Sequence, residues 1–159
     1  LYPNQKLVDE EHIVDEYVSY DELSARADLI SLHAFLNDES HHMINDESIA
    51  KMKDGVIFVN TGRGGLVDTE ALIRGIESGK IGAAGLDVYD EENANVYRDR
   101  SAEVFTSVTS RLCSFPNVVM TSHQAFFTHE ALSQIAHVTL ENAQAYADGT
   151  DFVDRSVVC

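Results

Sequence analysis

Positive charge is scarce in this 159-residue chain: 11 lysines and arginines face 27 aspartates and glutamates, for a formal net charge of −16. Such a surface repels phosphate backbones and anionic membranes, so neither nucleic acid nor a membrane is expected as a partner. It also leaves few arginines to receive a small anionic ligand. Cysteine is nearly absent. Cys113 and Cys159 lie far apart, form no metal-ligand spacing, and read as structural thiols in a reducing cytoplasm. No apolar run approaches the roughly 18 residues that a bilayer span requires. The opening LYPNQKLVDEE has neither a basic start nor an apolar segment, so no secretory signal is expected. Internal repeats and low-complexity stretches are missing. So are several signature loops. Gly62, Gly64 and Gly65 do not make a G-x-G-x-x-G, because position 67 is Val67, and there is no Walker loop, HExxH or G-x-S-x-G. The seven histidines lack metal-ligand spacing, and no metal is expected.

What is present is a core-forming composition, 44% apolar, in which short β-rich runs alternate with helical patterns. Residues 13–19 are expected as a short strand. Ser19 and Glu22 match a capping box before a helix to about Ala27. DLISLH (28–33) reads as a buried strand. Asn45 or Asp46 caps a helix bearing Ile49 and Met52, which Asp54-Gly55 ends. VIFVN (56–60) has the continuous apolar character of a strand buried on both faces. Asp68 caps a helix with a Leu72, Ile73, Ile76 stripe, closed by Gly79. AAGLDVY (83–89) is the next strand, followed by an acidic irregular stretch and a helix from Ser101 to about Leu112. A strand from Val118 to Ser122 leads to a long helix from about Thr128 to Asp148, with Leu132, Ile135, Ala136, Ala143 and Tyr146 on one face and Gly149 at its end. This alternation implies βαβ units, a parallel sheet and right-handed crossovers, with ligands outside the carboxyl ends of the strands. Four places follow from that rule: His33 onward, Thr61 to Gly65, Asp87 to Glu92, and His123 onward.

Three of these stretches carry chemistry. VNTGRGGLVD (59–68) sets Arg63 just past a strand, among glycines that permit a tight turn and close ligand approach. Its guanidinium offers a planar fork suited to a carboxylate. Most lone arginines are merely exposed, but the glycine flanks and the strand end favour a role here. GLDVYDEE (85–92) buries Asp87 in an apolar strand, where a carboxylate needs partners to offset desolvation. On composition alone, Glu91 and Glu92 read as an acidic surface loop. TSHQAFFTHEA (121–131) puts His123 at another strand end, where an imidazole can donate and accept a proton. His33 also ends a strand, so position does not separate the two. His41, His42 and His137 read as structural.

These three motifs, in this order, resemble the D-isomer-specific 2-hydroxyacid dehydrogenases. The segment from His41 to Glu92 is similar to that family almost without a break, and SHQAFFTHEAL resembles its D-lactate dehydrogenase branch. The resemblance implies an α/β fold: an incomplete Rossmann-type parallel sheet with flanking helices, plus a C-terminal helix and tail belonging to the substrate domain. Residues 1–125 would be a partial NAD-binding domain lacking its first βαβ unit, and 126–159 would return to the substrate domain. LYPN resembles the segment just after the family's second strand. The dinucleotide loop would therefore precede this stretch, which by itself is expected to be inactive.

The resemblance also implies roles. Arg63 would bind the substrate carboxylate and polarise the adjacent carbonyl. His123 would protonate the forming alkoxide. Glu92, preferred to Glu91 by its offset from Asp87, would hydrogen-bond His123 and raise its pKa. Asp87 would accept from the nicotinamide carboxamide. Thr61, Gly62 and the Arg63 backbone would line the nicotinamide ribose, and Ala34, Phe35 and Ser40 would border the adenine and ribose. Phe126 would help to close the substrate pocket. The implied activity is hydride transfer between NAD(H) and a small 2-keto/2-hydroxy acid pair, D-lactate/pyruvate first, in a cytoplasmic homodimer. Other members of the family, acting on hydroxyisocaproate or phosphoglycerate, are the alternatives, as is a non-catalytic NAD-binding interaction module.

Overall fold

The computed structural model describes residues 14–90 and 108–153. Four parallel strands, β1 (Leu29–Leu32), β2 (Val56–Asn60), β3 (Ile81–Leu86) and β4 (Val118–Met120), lie side by side in chain order. Between them run α2 (Asp46–Lys51), α3 (Thr69–Glu77) and α4 (Val108–Ser114). A first helix, α1 (Tyr20–Arg26), precedes β1, and a long α5 (His129–Asp148) follows β4. Because the order advances steadily in one direction, right-handed crossovers place α2, α3 and α4 on the same face. The apolar core lies between that layer and the sheet: Ile30, Leu32, Val56, Phe58, Ile81 and Leu86 meet Ile49, Leu72, Ile73, Ile76 and Leu112.

Local chemistry sets the helix starts. Ser19 accepts from the Glu22 amide, so one half of the expected capping box forms. Asn45, rather than Asp46, caps α2, and Ser48 returns the favour by bonding the Asn45 amide. Asp68 accepts from the amides of Glu70 and Ala71. Thr128 caps α5, and Gly149 ends it at φ 65°.

Three expectations are corrected. Residues 14–19 form no strand, since no described strand lies beside them to share backbone hydrogen bonds. β2 is not buried on both faces, and β1, read as a buried strand, is buried on one face only. Ile30 and Phe58 point into the core, whereas Leu29 is 54% exposed, Ile57 44% and Val119 on β4 69%. Among the described residues, helices cover one side only, so alternate residues of apolar strands stay in solvent. Likewise α5 buries none of its residues, and Ile135 and Tyr146 of its apolar face are exposed. The helix read from Ser101 is described from Val108 onward, with residues 101–107 outside the described residues.

No helix among the described residues is long and apolar enough to cross a membrane. Cys113 is exposed, its sulfur 3.6 Å from that of Met120.

Candidate active site

Strand register builds the site. Leu32 pairs with Asn60, Asn60 with Leu86, and Leu86 with Met120, so the four strands end in one row. Everything just past that row shares one rim: His33, Thr61 to Arg63, Asp87, and Thr121 to His123. Neighbouring strands stand about 5 Å apart, so the Arg63 and His123 segments leave the rim roughly 10 Å apart, with Asp87 between them.

The turn after β2 is fixed by Asn60, which is 1% exposed. Its side-chain oxygen accepts from the Gly62 amide at 3.0 Å, and its amide nitrogen donates to the Arg63 carbonyl at 3.0 Å. The Arg63 side chain is thereby held outward, its Nη1 donating to the Gly62 carbonyl at 2.9 Å. Next comes a single 3₁₀ turn, Gly64–Leu66. Gly64 is required by contact: a Cβ there would stand 2.2 Å from the Tyr89 carbonyl carbon and oxygen. Gly64→Ala must push the end of β3 away from the Arg63 turn. A loss of about 2 kcal/mol is expected, as for overpacked cores. An unchanged urea midpoint would show that the two segments can separate freely.

Every other lysine and arginine among the described residues is committed to a carboxylate. Arg26 pairs with Glu16 and Glu22, Lys51 with Asp21, and Lys53 with Asp28. Arg74 pairs with Asp46, Lys80 with Asp54, and Arg111 with Glu70 and Glu77. Arg63 alone has no carboxylate partner among the described residues. In a chain so rich in acids, that sets Arg63 apart from the other described cations.

Asp87, 4% exposed, organises the His123 segment. The His123 amide donates to the Asp87 carbonyl at 2.8 Å. The next two amides reach its carboxylate, Gln124 at 2.7 Å and Ala125 at 2.9 Å, and the Thr121 hydroxyl donates to it as well. Three successive amides can converge on one residue because His123 adopts φ 52°, a left-handed conformation that costs a non-glycine residue about 1–2 kcal/mol. Burial pushes the Asp87 carboxyl up. The Thr121 hydroxyl, the two amides and the neighbouring His123 outweigh it, and the net displacement is downward. Asp87 is thus an ionised anchor that sets where the half-buried imidazole of His123 sits. A carboxylate has about four acceptor sites, so one remains for a ligand amide.

On the cofactor side, two clefts open at the ends of β1 and β2. One, of about 330 Å³, is lined by His33, Ala34, Phe35, Leu36, Gly62 and Arg63. The other, of about 830 Å³, is lined by His33, Ala34, Phe35, Asn37, Glu39, Ser40 and Met43. They join most of the residues expected to border the cofactor. Thr61 is exposed on the same turn as Gly62. Ser40 lines the larger cleft, and its hydroxyl also closes its own loop, donating to the Phe35 carbonyl at 2.5 Å and accepting from the Asn37 amide. Phe126 is half exposed and edge-on to Phe127. Glu91 and Glu92 lie outside the described residues. Asn60 and Thr121 lie within the stretches that carry Arg63 and His123, but neither is given a role by the sequence. The available signal for Asn60 was an amide closing an otherwise apolar strand.

A parallel sheet with helices and clefts at its carboxyl rim has the architecture of a nucleotide-binding α/β domain. Residues 1–125 match the D-isomer specific 2-hydroxyacid dehydrogenase NAD binding domain. The chain belongs to this family. "2-Hydroxyacid dehydrogenase homolog 1" of Schizosaccharomyces pombe is 46% identical over 159 residues, which cover 99% of this chain and 46% of that protein. "Aromatic 2-oxoacid reductase" of Clostridium sporogenes is 48% identical over 147 residues, 92% of this chain and 43% of that one. Among solved structures, the pyruvate reductase of Chlamydomonas reinhardtii superimposes with a TM-score of 0.86 at 38% identity, covering 97% of this chain and 47% of its own. The chain therefore spans less than half the length of the relatives it matches.

Proposed function

We propose that the full-length protein is an NAD-dependent D-2-hydroxyacid dehydrogenase that interconverts pyruvate and D-lactate, with Arg63, His123 and Glu92 as its catalytic residues. The observation that carries this reading is Arg63, a guanidinium without a carboxylate partner among the described residues, at the carboxyl rim of the sheet in a chain of net charge −16. A substrate carboxylate would pair with its forked donors.

NAD supplies or accepts a hydride at the substrate's second carbon. The clefts beside Ala34, Phe35, Gly62 and Arg63 suit one end of that cofactor, with Thr61 and Gly62 against the nicotinamide ribose and Ser40 near the adenosine. Arg63 holds the substrate carboxylate through two parallel N–H donors and draws electron density from the neighbouring carbonyl. His123 donates its proton to the carbonyl oxygen as negative charge develops there, and takes it back in the reverse direction. Glu92 favours the charged imidazolium. Asp87 holds the His123 segment and offers its remaining lone pair to the carboxamide. Phe126 shields the reacting atoms from water. In this reading residues 1–125 are part of the NAD domain and 126–159 return to the substrate domain of a cytoplasmic homodimer.

The test is NADH oxidation by the full-length protein with pyruvate, phenylpyruvate and a branched 2-keto acid. Pyruvate turnover is expected to be fastest and to yield the D-isomer. His123→Ala is expected to lower kcat about 10³-fold, the scale of a positioned proton donor. Turnover of phenylpyruvate in preference to pyruvate would move the substrate assignment to aromatic 2-keto acids. Near-normal turnover by His123→Ala would remove that residue from the mechanism.

A further inference from the structure

Outside the rim, the connection between β1 and α2 meets the end of β3 at a second group of donors. His42 Nε2 lies 3.1 Å from Asp90 Oδ2, and the His41 ring stacks on the His42 ring with centroids 3.9 Å apart. One ligand atom from each of His41, His42 and Asp90 lies within 4.8 Å of the others. We propose that these three side chains form a binding site for one divalent transition ion, zinc in the first instance, which fastens the β1–α2 connection to the end of β3.

The geometry supports a metal better than a simple ion pair. Zinc bonds to nitrogen and oxygen are about 2.0–2.1 Å long, so two tetrahedral ligands stand about 3.4 Å apart. The His42–Asp90 separation already falls near that value, and His41 offers a ring nitrogen within 4.8 Å of both partners. A His–carboxylate hydrogen bond involves two of the members, and the stacked imidazole brings a further nitrogen donor beside them. Two imidazoles and a carboxylate suit zinc, nickel or copper, while magnesium and calcium prefer oxygen alone. Three protein ligands leave a fourth position for water.

The backbone is set in advance. His42 adopts φ 51°, which a side chain rarely tolerates. It is pinned by its amide to the Gly65 carbonyl at 2.9 Å and by the Asn45 side-chain amide to its own carbonyl at 3.0 Å. A Cβ at Gly65 would sit 3.6 Å from Asp90 Oδ1, so the third ligand packs against the same turn. An ion held here braces the segment two residues from Arg63. Sequence spacing does not reveal the site, because Asp90 stands 48 residues from His42.

The experiment is zinc titration of the full-length protein against a chromophoric chelator, with cobalt absorption as a second readout of a nitrogen–oxygen ligand field. One zinc per chain with micromolar affinity is expected. His41→Gln, His42→Asn and Asp90→Asn should each weaken it at least tenfold, since even loss of an outer-shell partner costs 10–100-fold. Asparagine tolerates the left-handed backbone at position 42, and His41 is exposed, so these variants keep the fold; circular dichroism and the urea midpoint check that. Absence of stoichiometric zinc binding in the wild type overturns the proposal. So does zinc affinity that is unchanged in any of the three variants, which would place the ion on other histidines.

Discussion

Arg63→Lys is expected to lower kcat/KM for pyruvate by about 10³-fold, although it keeps the positive charge. The reason is shape. Lysine offers a compact ammonium in place of a planar fork, so it cannot hold a carboxylate through two parallel bonds while its edge faces the carbonyl oxygen. Losing one donor aimed at developing negative charge costs about 10²–10³ in rate, and loss of orientation adds to that. Both kcat and KM should suffer, because the same group binds the ground state and stabilises the transition state. Steady-state kinetics on the full-length protein measure this. A lysine variant within tenfold of wild type would mean that the carboxylate is held elsewhere. The fold should be unaffected: the backbone of the turn is secured by Asn60, and the Arg63 side chain bonds only its neighbour's carbonyl among the described residues.

Asp87→Asn is expected to have the second largest effect, on stability and turnover together. The substitution replaces a carboxylate that accepts from the amides of Gln124 and Ala125 and from the Thr121 hydroxyl. An amide group has one oxygen, so at least one buried N–H loses its acceptor. With hydrogen bonds to charged groups worth about 1.5–3 kcal/mol each, a loss of about 3 kcal/mol follows. Freed from its anchor, His123 can leave its left-handed conformation, and kcat should fall about 10²-fold. The pH dependence separates this anchor from a generic core defect. The carboxyl of Asp87 titrates below its ordinary value in the folded protein. Its contribution is therefore complete above the unfolded pKa of about 3.9 and disappears as pH falls through the lower folded value. Urea midpoints should decline more steeply below about pH 4 in the wild type than in Asp87→Asn. Parallel curves would show that the carboxylate is not the ionised anchor.

The parallel sheet was legible from the strand–helix alternation, and its rim from the residues that end each strand. Asn60, Asp87 and His123 end or follow apolar runs, and a shared register then forces them together whatever their distance along the chain. Asp68 was equally readable, and the start of α2 was narrowed to Asn45 or Asp46, since capping is decided within four residues. Long-range facts were not. Nothing in VIFVN says that Ile57 faces solvent while Phe58 is sealed, because both are apolar and only the placement of the helices distinguishes them. The amides of Gln124 and Ala125 around Asp87, and the meeting of His42 with Asp90, depend on loops crossing between strands, which leave no periodic trace. Family resemblance implied the roles proposed for Arg63 and His123. The structure adds the physical means by which each is held.

The pattern of ion pairs has a bearing on encounter. With its other described cations neutralised by neighbouring carboxylates, this chain's field is that of its surplus acids, and under the proposed function keto acid and dinucleotide alike would approach as anions against it. Attraction is confined to the last few ångströms, where the guanidinium emerges from the rim. Dissolved salt flattens the long uphill approach more than the short final descent, so for this chain ionic strength eases arrival while leaving the grip largely intact.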